Sequence, residues 1–187
     1  MTDEVNYGPL AGLIGTWTGA EGMDISPEPD GTEENPYYET IVFEAAGSVE
    51  NAESQTLAIV RYHQVVQRKS NDEVFHDQIG YWTWDASDGT VAQSLAIPRA
   101  VALLAGGTCA APSNAGDAVT LEVSAKAGDP AWGIAQSPFM GEKARTVAFA
   151  HKVTIDGDRM HYAETTSLEI YGRGFEHTDE NTLTRSA

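Results

Sequence analysis

The amino-acid sequence predicts an all-β fold, a single antiparallel up-and-down β-barrel of about ten strands with short helical turns. Extended runs follow one another closely, turn residues such as Asp156-Gly157 separate them, and no long stretch carries a helical period. Several runs alternate apolar and polar residues, which is typical of antiparallel strands with one buried face. The runs cover roughly 36–46, 55–68, 73–85, 89–97, 99–105, 117–126, 144–155, 158–171 and 175–185.

The two ends of the chain and two irregular segments complete this prediction. Pro9–Leu13 is predicted to form a short helical turn, and a short strand follows over 14–22. The segment 24–35, rich in proline, glycine and glutamate, predicts an exposed loop, and 128–143 predicts a long loop over a barrel opening. The last run, 175–185, is expected to close the sheet, because a free strand edge invites aggregation.

Length, composition and charge favour one domain over 1–187, located in the cytoplasm. The apolar fraction of 41% and the aromatic fraction of 9% are ordinary for a globular protein. No apolar run approaches the ~20 residues of a membrane-spanning helix, and the acidic N-terminus does not suggest a signal peptide. The single cysteine fits a reducing compartment. A net charge of -17 disfavours nucleic acid and anionic membranes as partners, because both attract basic proteins.

Histidines are the main candidates for chemistry, because the sequence contains no standard catalytic motif. Cys109 lies in a loop of small residues and has no nameable catalytic partner. Strand parity with apolar neighbours predicts that His63 points inward or lies on a mixed face, and that His151 can also point inward, whereas His161 is predicted to point outward. The two inward histidines could be ligands or hydrogen-bonded core residues.

His76 lies in the most aromatic run of the chain. Strand parity puts it on one face with Gln78, Gly80, Trp82 and Trp84. Two indoles, a glycine and an imidazole on one face could line a flat aromatic pocket. The alternative is a tryptophan-rich core that contains one polar residue.

His177 stands at the start of the last predicted strand, next to Glu176 and close to Asp179 and Glu180. Nearby carboxylates favour the charged imidazolium, which suits a solvated side chain. A neutral imidazole at a barrel mouth could instead bind a metal. The residues alone leave both alternatives open.

Four segments, in order along nearly the whole chain, resemble the nitrobindin-like haem-binding β-barrels. They are Leu13–Gly22, Phe75–Trp82, Ser94–Gly107 and Phe175–Arg185, which resemble the family's opening strand, its histidine-containing strand, the following strand pair and its closing segment. The resemblance implies a lipocalin-like (calycin) barrel, loosely similar to the fatty-acid-binding proteins. It also implies ferric haem b in the barrel mouth and a link to nitric oxide binding and peroxynitrite isomerisation.

Carried onto this sequence, the resemblance implies specific site residues. His177 would be the axial iron ligand, His76 would lie on the distal side and Trp17 near the barrel entrance. Trp82, on the same predicted face as His76, would line the pocket. A peroxynitrite isomerase activity would depend on haem, and no enzymatic activity is expected without it. The cations available for the haem propionates are Arg99, Arg173 and Arg185.

The sequence departs from the family pattern where the ligand would bind. Polar residues 178–181 follow His177 in place of apolar ones, and the spacing from His177 to Leu183 is one residue longer. The segment 24–35 is acidic where short glycine-rich turns are usual. Asp77-Gln78 replaces a small residue followed by Glu.

These departures support a second hypothesis, a haem-free carrier of a fatty acid or another apolar small molecule. Its carboxylate would be neutralised by Arg61, Arg99 or Arg145. A third hypothesis is a filled barrel without a ligand. The expected partners are therefore a small apolar ligand or haem, with a homodimer as one option, and neither nucleic acid nor a membrane.

Overall fold

The computed structural model describes residues 5–114 and 116–186, and most of them are in β-strands. A 3-10 helix spans Gly8–Leu13 and the helix α1 spans Pro138–Lys143. Within the described residues, no helix is long and apolar enough to cross a membrane. The strands are β1 (Gly15–Glu28), β2 (Gly31–Asn51), β3 (Gln55–Arg68), β4 (Val74–Asp85), β5 (Thr90–Ile97), β6 (Val101–Thr108), β7 (Val119–Lys126), β8 (Ile134–Gln136), β9 (Ala144–Asp156), β10 (Arg159–Ile170) and β11 (Arg173–Arg185).

Ten of these strands form a closed antiparallel barrel. Their order around the wall is β5-β4-β3-β2-β1-β11-β10-β9-β7-β6, and pairing of β5 with β6 closes the barrel. The three-residue strand β8 pairs with β6 outside this ring. The last strand, β11, pairs with β1 and seals the wall. The predicted up-and-down barrel of about ten strands is therefore confirmed.

The prediction of an exposed loop over 24–35 is wrong. β1 continues to Glu28, β2 begins at Gly31, and the two strands pair along this whole extension. Asp24 and Asn35 are paired opposite each other, and both are buried. Polar residues at buried positions hid the strand pattern, because alternation is recognised by apolar residues on the inner face. The extension lengthens the wall at the end where β11 begins.

The segment 128–143 also contains more regular structure than the predicted long loop. β8 lies within it, and α1 begins after Ser137. The Ser137 hydroxyl accepts a hydrogen bond from the Met140 backbone N–H at 3.3 Å, which caps the helix. Gln136 anchors the segment to β9, because its side-chain oxygen accepts a hydrogen bond from the Thr146 N–H at 2.9 Å.

The 3-10 helix closes one end of the barrel. It packs against β3, β4, β7 and β9, and its Leu10 and Leu13 are fully buried together with Trp17 of β1. The Trp17 indole donates a hydrogen bond to the Leu13 carbonyl at 2.7 Å. The Arg185 guanidinium lies 4.2 Å from the Trp17 ring centre and donates to the Gly12 carbonyl at 2.9 Å. Trp17 therefore lies at the closed end, under the helix, and not at the entrance that the resemblance implied.

Candidate functional site

Four ionisable side chains form a row across four neighbouring strands on the inside of the barrel. The Cα atom of Asp179 in β11 is paired with those of Asp24 in β1 and Glu164 in β10. Glu164 is in turn paired with His151 in β9. Asp179 alternates in phase with the fully buried Leu183, so this face of β11 points inward. Asp24, Asp179, Glu164 and His151 are called the inward polar row below.

His177 lies beside this row, toward the end of the barrel that the 3-10 helix does not cover. Its Nε2 atom lies 2.5 Å from Asp24 Oδ1 and 3.5 Å from Asp179 Oδ2. The His177 side chain is 28% exposed, and that of Asp24 is 4% exposed. The Asn35 amide donates to Asp24 Oδ2 at 2.9 Å and so fixes the orientation of this carboxylate. Two carboxylates therefore engage the same imidazole nitrogen.

The ionisation of these three groups is coupled. Burial opposes the charge on His177, but the Asp24 hydrogen bond and the Asp179 and Asp24 charges outweigh it, so its pKa is raised. Burial also opposes ionisation of Asp24, yet the bond and charge of His177 hold the Asp24 pKa below its usual value. Burial dominates at Asp179 and raises its pKa well above the usual range. The favoured state pairs an imidazolium with the Asp24 carboxylate.

Glu164 is the least satisfied member of the row. Its side chain is 16% exposed, and the nearest titratable nitrogen, His151 Nδ1, is 3.9 Å away. Burial, and then the charge of Glu39, raise the pKa of Glu164 to about 8. Burial lowers the pKa of His151 to about 3, so this imidazole stays neutral and cannot offset the Glu164 charge.

Glu39 of β2 adds a further buried carboxylate to this interior. Its two oxygens accept hydrogen bonds from the Asn181 amide at 2.7 Å and the Gln64 amide at 2.8 Å. Both donors are neutral, so they satisfy the oxygens without compensating the charge. Burial accordingly raises the pKa of Glu39. Carboxylates outnumber cations in this part of the barrel.

The interior next to this site is closely packed. The cavity between Tyr62, Trp82, Gln93, His151 and Tyr162 has a volume of about 10 Å³, roughly the space of one water molecule. A larger groove of about 610 Å³ lies on the outer wall of β3–β6, where exposed Ile79 and Tyr81 contribute to its lining.

Haem would require this arrangement to change. Pockets for ligands of that size have volumes of several hundred Å³, whereas the cavity of about 10 Å³ beside His151 is far smaller and His177 is not among its lining residues. The Nε2 atom of His177 is bonded to Asp24, so iron would have to displace this partner before it could bind the imidazole. Asp179 and Glu164 offer the haem propionates no cation.

The structure brings together some of the predicted site residues and separates others. His76 is half-buried, and its Nε2 atom lies 3.3 Å from Gln78 Oε1. Burial lowers the pKa of His76, and the charges of His177 and Arg99 lower it further. Arg99 is exposed and donates to the Phe75 carbonyl at 3.3 Å. Trp82 is 1% exposed in the core, and its ring centre lies 5.8 Å from that of His151. Trp17 lies at the other end of the barrel.

The orientation predictions for the remaining histidines have mixed outcomes. His151 points inward, as predicted, and lies 2.9 Å from Gln93 Oε1. His161 points outward, as predicted, and its side chain is 45% exposed. Of the two alternatives for His63, the inward one is wrong and the mixed face is correct, because His63 lies exposed on the outer wall, 3.2 Å from Asp77. Its face carries apolar residues that are themselves on the outer wall, and these misled the parity argument.

Sequence reasoning missed Asp24, Glu39 and Glu164 as site residues, and treated Asp179 only as a departure from the family pattern. The sequence contained one signal for them. Along β11, His177, Asp179 and Asn181 are in phase with the buried Leu183, and Glu39 and Glu164 are likewise in phase with buried residues of their strands. Polar residues that continue an inward apolar phase are therefore candidates for an internal site.

The fold and the site define a closed antiparallel barrel with ionisable groups inside one end. The chain belongs to the family of the THAP4-like, heme-binding beta-barrel domain, which it matches over residues 6–185. It is also similar to the crystal structure of Rv2717c from M. tuberculosis, with 23% identity, a TM-score of 0.68 and 95% of each chain covered. At this identity the likeness supports the fold alone. No match was found among curated proteins.

Proposed function

We propose that this chain is a small-ligand-binding barrel whose ligand is positively charged and binds at the His177 end of the inward polar row. The observation that supports this most directly is the excess of buried carboxylates. Asp24, Asp179, Glu164 and Glu39 face one interior. His177 is the partner whose protonation they favour. Because a buried carboxylate needs either a proton or a cation as its partner, a bound cation could replace the protons that burial favours on these groups.

The same charges argue against a carrier of fatty acids. The inward polar row contains no cation for a fatty-acid carboxylate, and the neighbouring His177 is already engaged by Asp24 at 2.5 Å. Two of the arginines considered as its partners are on the outer wall, where Arg61 pairs with Glu44 at 2.8 Å and Arg145 pairs with Glu169 at 3.2 Å. Arg99 is exposed at the rim and bonds to a backbone carbonyl.

Haem b bound through His177 is the second candidate. Membership of a family described as heme-binding, and the position of His177 on the last strand, support it. Haem would require His177 to leave Asp24 and the interior to open. Peroxynitrite isomerisation would depend on this binding, because the chain's own residues suggest no redox chemistry.

A thermal-shift experiment on the purified full-length chain distinguishes these candidates. The probes are inorganic divalent cations, methylammonium, laurate and hemin. We expect at least one cation to raise the Tm of the wild type by several degrees, because ligands that bind only the folded state stabilise it. Asp179→Asn should abolish this rise. The control is Asp77→Asn, which removes a carboxylate from the exposed outer wall and should leave the rise intact.

The other outcomes contradict the proposal in different ways. A Soret shift with hemin that is lost in His177→Ala would replace the cation with haem. A rise in Tm with laurate alone would support the fatty-acid carrier. No response to any probe would favour a filled barrel without a ligand.

A further inference from the structure

We infer that His177, Asp24 and Asp179 form a binding site for a first-row divalent transition-metal ion, with Glu164 as a further ligand. This inference rests on the proposed function, that the site binds a cation, and it names the class of cation.

The three side chains already approximate a coordination geometry. One ligand atom from each, the His177 nitrogen and one oxygen from each aspartate, lies within 4.8 Å of the others. Ligands bound at about 2.1 Å to one ion lie roughly 3–3.5 Å apart. The distance from His177 Nε2 to Asp24, 2.5 Å, is shorter than this spacing, and the distance to Asp179, 3.5 Å, is at its upper limit. Small side-chain rotations would place an ion where His177 and Asp24 now share a proton.

Glu164 provides an observation independent of that cluster. Within residues 5–114 and 116–186, no group donates a hydrogen bond to its largely buried carboxylate. His151 Nδ1 is 3.9 Å away and is engaged by Gln93 Oε1 at 2.9 Å. Glu164 is paired with Asp179 and lies on the same inner face. The Glu164 side chain keeps 16% of its surface exposed, so water, a proton or a cation can reach its oxygens, and a cation held by Asp179 would lie on the adjacent strand.

Asn35 supports the arrangement from outside the ligand set. Its amide donates to Asp24 Oδ2, the oxygen that does not contact His177, at 2.9 Å, and also to Ser26 Oγ at 3.1 Å. Hydrogen bonds of this kind orient metal ligands and strengthen binding. They leave Asp24 Oδ1 directed at His177.

The donor types select the class of ion. One imidazole nitrogen with two or three carboxylates suits Zn²⁺, Fe²⁺ or Mn²⁺. Mg²⁺ and Ca²⁺ prefer oxygen ligands alone. Monovalent copper prefers sulfur ligands, and the chain's one cysteine, Cys109, bonds instead to the carbonyls of Ala110 and Thr120.

Metal titration of the full-length chain tests this assignment. The protein is treated with EDTA, dialysed, and titrated with Zn²⁺ by calorimetry and with Co²⁺ by visible absorption. We expect one ion per chain. Asp179→Asn and His177→Gln should each weaken binding by about 10- to 100-fold or more. His63→Gln and Asp77→Asn are matched controls, because they alter the same residue types on the exposed outer wall, and they should keep wild-type affinity.

The assignment is overturned if the wild type binds no Zn²⁺, or if Asp179→Asn binds as tightly as the wild type. It is also overturned if the outer-wall variants lose as much affinity. Thermal unfolding in EDTA shows whether each variant is folded, and the Co²⁺ absorption bands of the wild type report imidazole and carboxylate ligation without any variant. If Zn²⁺ does not bind but methylammonium still stabilises the wild type through Asp179, the metal assignment is wrong and the proposed function is retained. If neither cation binds, the metal assignment and the proposed function are both wrong.

Discussion

At the residue scale, the Asp24–His177 pair links stability to pH. Because the pKa of His177 is raised, its protonation adds to the free energy of unfolding. This stabilisation is complete below the ordinary pKa near 6.5 and is lost as pH rises through the higher pKa of the folded state. Because the pKa of Asp24 is lowered, its ionisation also stabilises the fold. This stabilisation is complete above the ordinary pKa near 3.8 and is lost as pH falls through the lower pKa of the folded state. Both contributions are complete between about pH 4 and 6.5.

Asp24→Asn should therefore destabilise the metal-free protein most within this window. We expect a loss of about 2 kcal/mol at pH 5, as for a hydrogen bond between charged groups, and a smaller loss at pH 9. Urea unfolding at the two pH values measures the difference. Asp77→Asn serves as the control on the outer wall. An equal loss at pH 5 and pH 9 would show that the ion pair does not contribute.

Glu164→Gln should stabilise the protein at high pH, which is opposite to the effect of Asp24→Asn. The unfolded chain releases the Glu164 proton near pH 4.5, whereas the folded chain holds it to about pH 8, so wild-type stability falls across this range. The glutamine variant escapes this loss. We expect similar free energies of unfolding at pH 4 and an advantage of about 5 kcal/mol for Glu164→Gln at pH 9 without metal. Glu50→Gln on the exposed part of β2 is the control, and a constant difference at all pH values would contradict the burial of Glu164.

At the element scale, the extensions of β1 and β2 build the site. They carry Asp24 and Asn35 past the apolar part of the barrel and place them next to the first half of β11. Without this hairpin, His177 would have no buried acidic partner on β1. The functional end thus depends on a segment whose composition suggests a loop.

Hydrogen exchange distinguishes a paired hairpin from a loop. We expect the backbone amides of 22–28 and 31–37 to exchange much more slowly than those of the turn at 69–72, because β1 and β2 pair along the hairpin. Asn35→Ala should speed exchange in both segments, since it removes the hydrogen bond to Asp24. Exchange of the hairpin as fast as the turn would contradict the extended strands.

Apolar alternation and turn residues were sufficient to predict the barrel. The run 55–68 matches β3, and 175–185 lies within β11. The site could not be predicted in the same way, because its inward residues are polar and resemble a solvated face. The inward alternative for His63 was wrong for the opposite reason, because its apolar neighbours Leu57, Ile59 and Val65 are on the outer wall. Only the register across four strands brings the inward polar row together.

At the scale of the whole molecule, the barrel has two different ends. The closed end is held by the 3-10 helix, Trp17 and Arg185, and the other end contains the inward polar row and His177. The closed end supplies apolar burial and an arginine with several acceptors, which stabilise the wall. The stability of the closed end offsets the cost of burying ionisable groups at the other end.

Arg185→Lys should destabilise the protein although it conserves the charge. Arginine donates to the Gly12 carbonyl and to Asp158, at 2.9 and 3.0 Å, while it covers the Trp17 ring. Lysine lacks the planar group that makes these contacts together. We expect a loss of about 2 kcal/mol in urea unfolding. Arg159→Lys on the exposed side of β10 should change little, and an equal effect of the two variants would contradict the role of Arg185.

The most direct test of the account is a crystal structure of the wild type soaked with Zn²⁺ and measured at the zinc absorption edge. We predict an anomalous peak inside the barrel, about 2.0–2.2 Å from His177 Nε2 and from one oxygen each of Asp24 and Asp179. A zinc-soaked crystal in which His177 still bonds to Asp24, with no anomalous peak between them and Asp179, would contradict it.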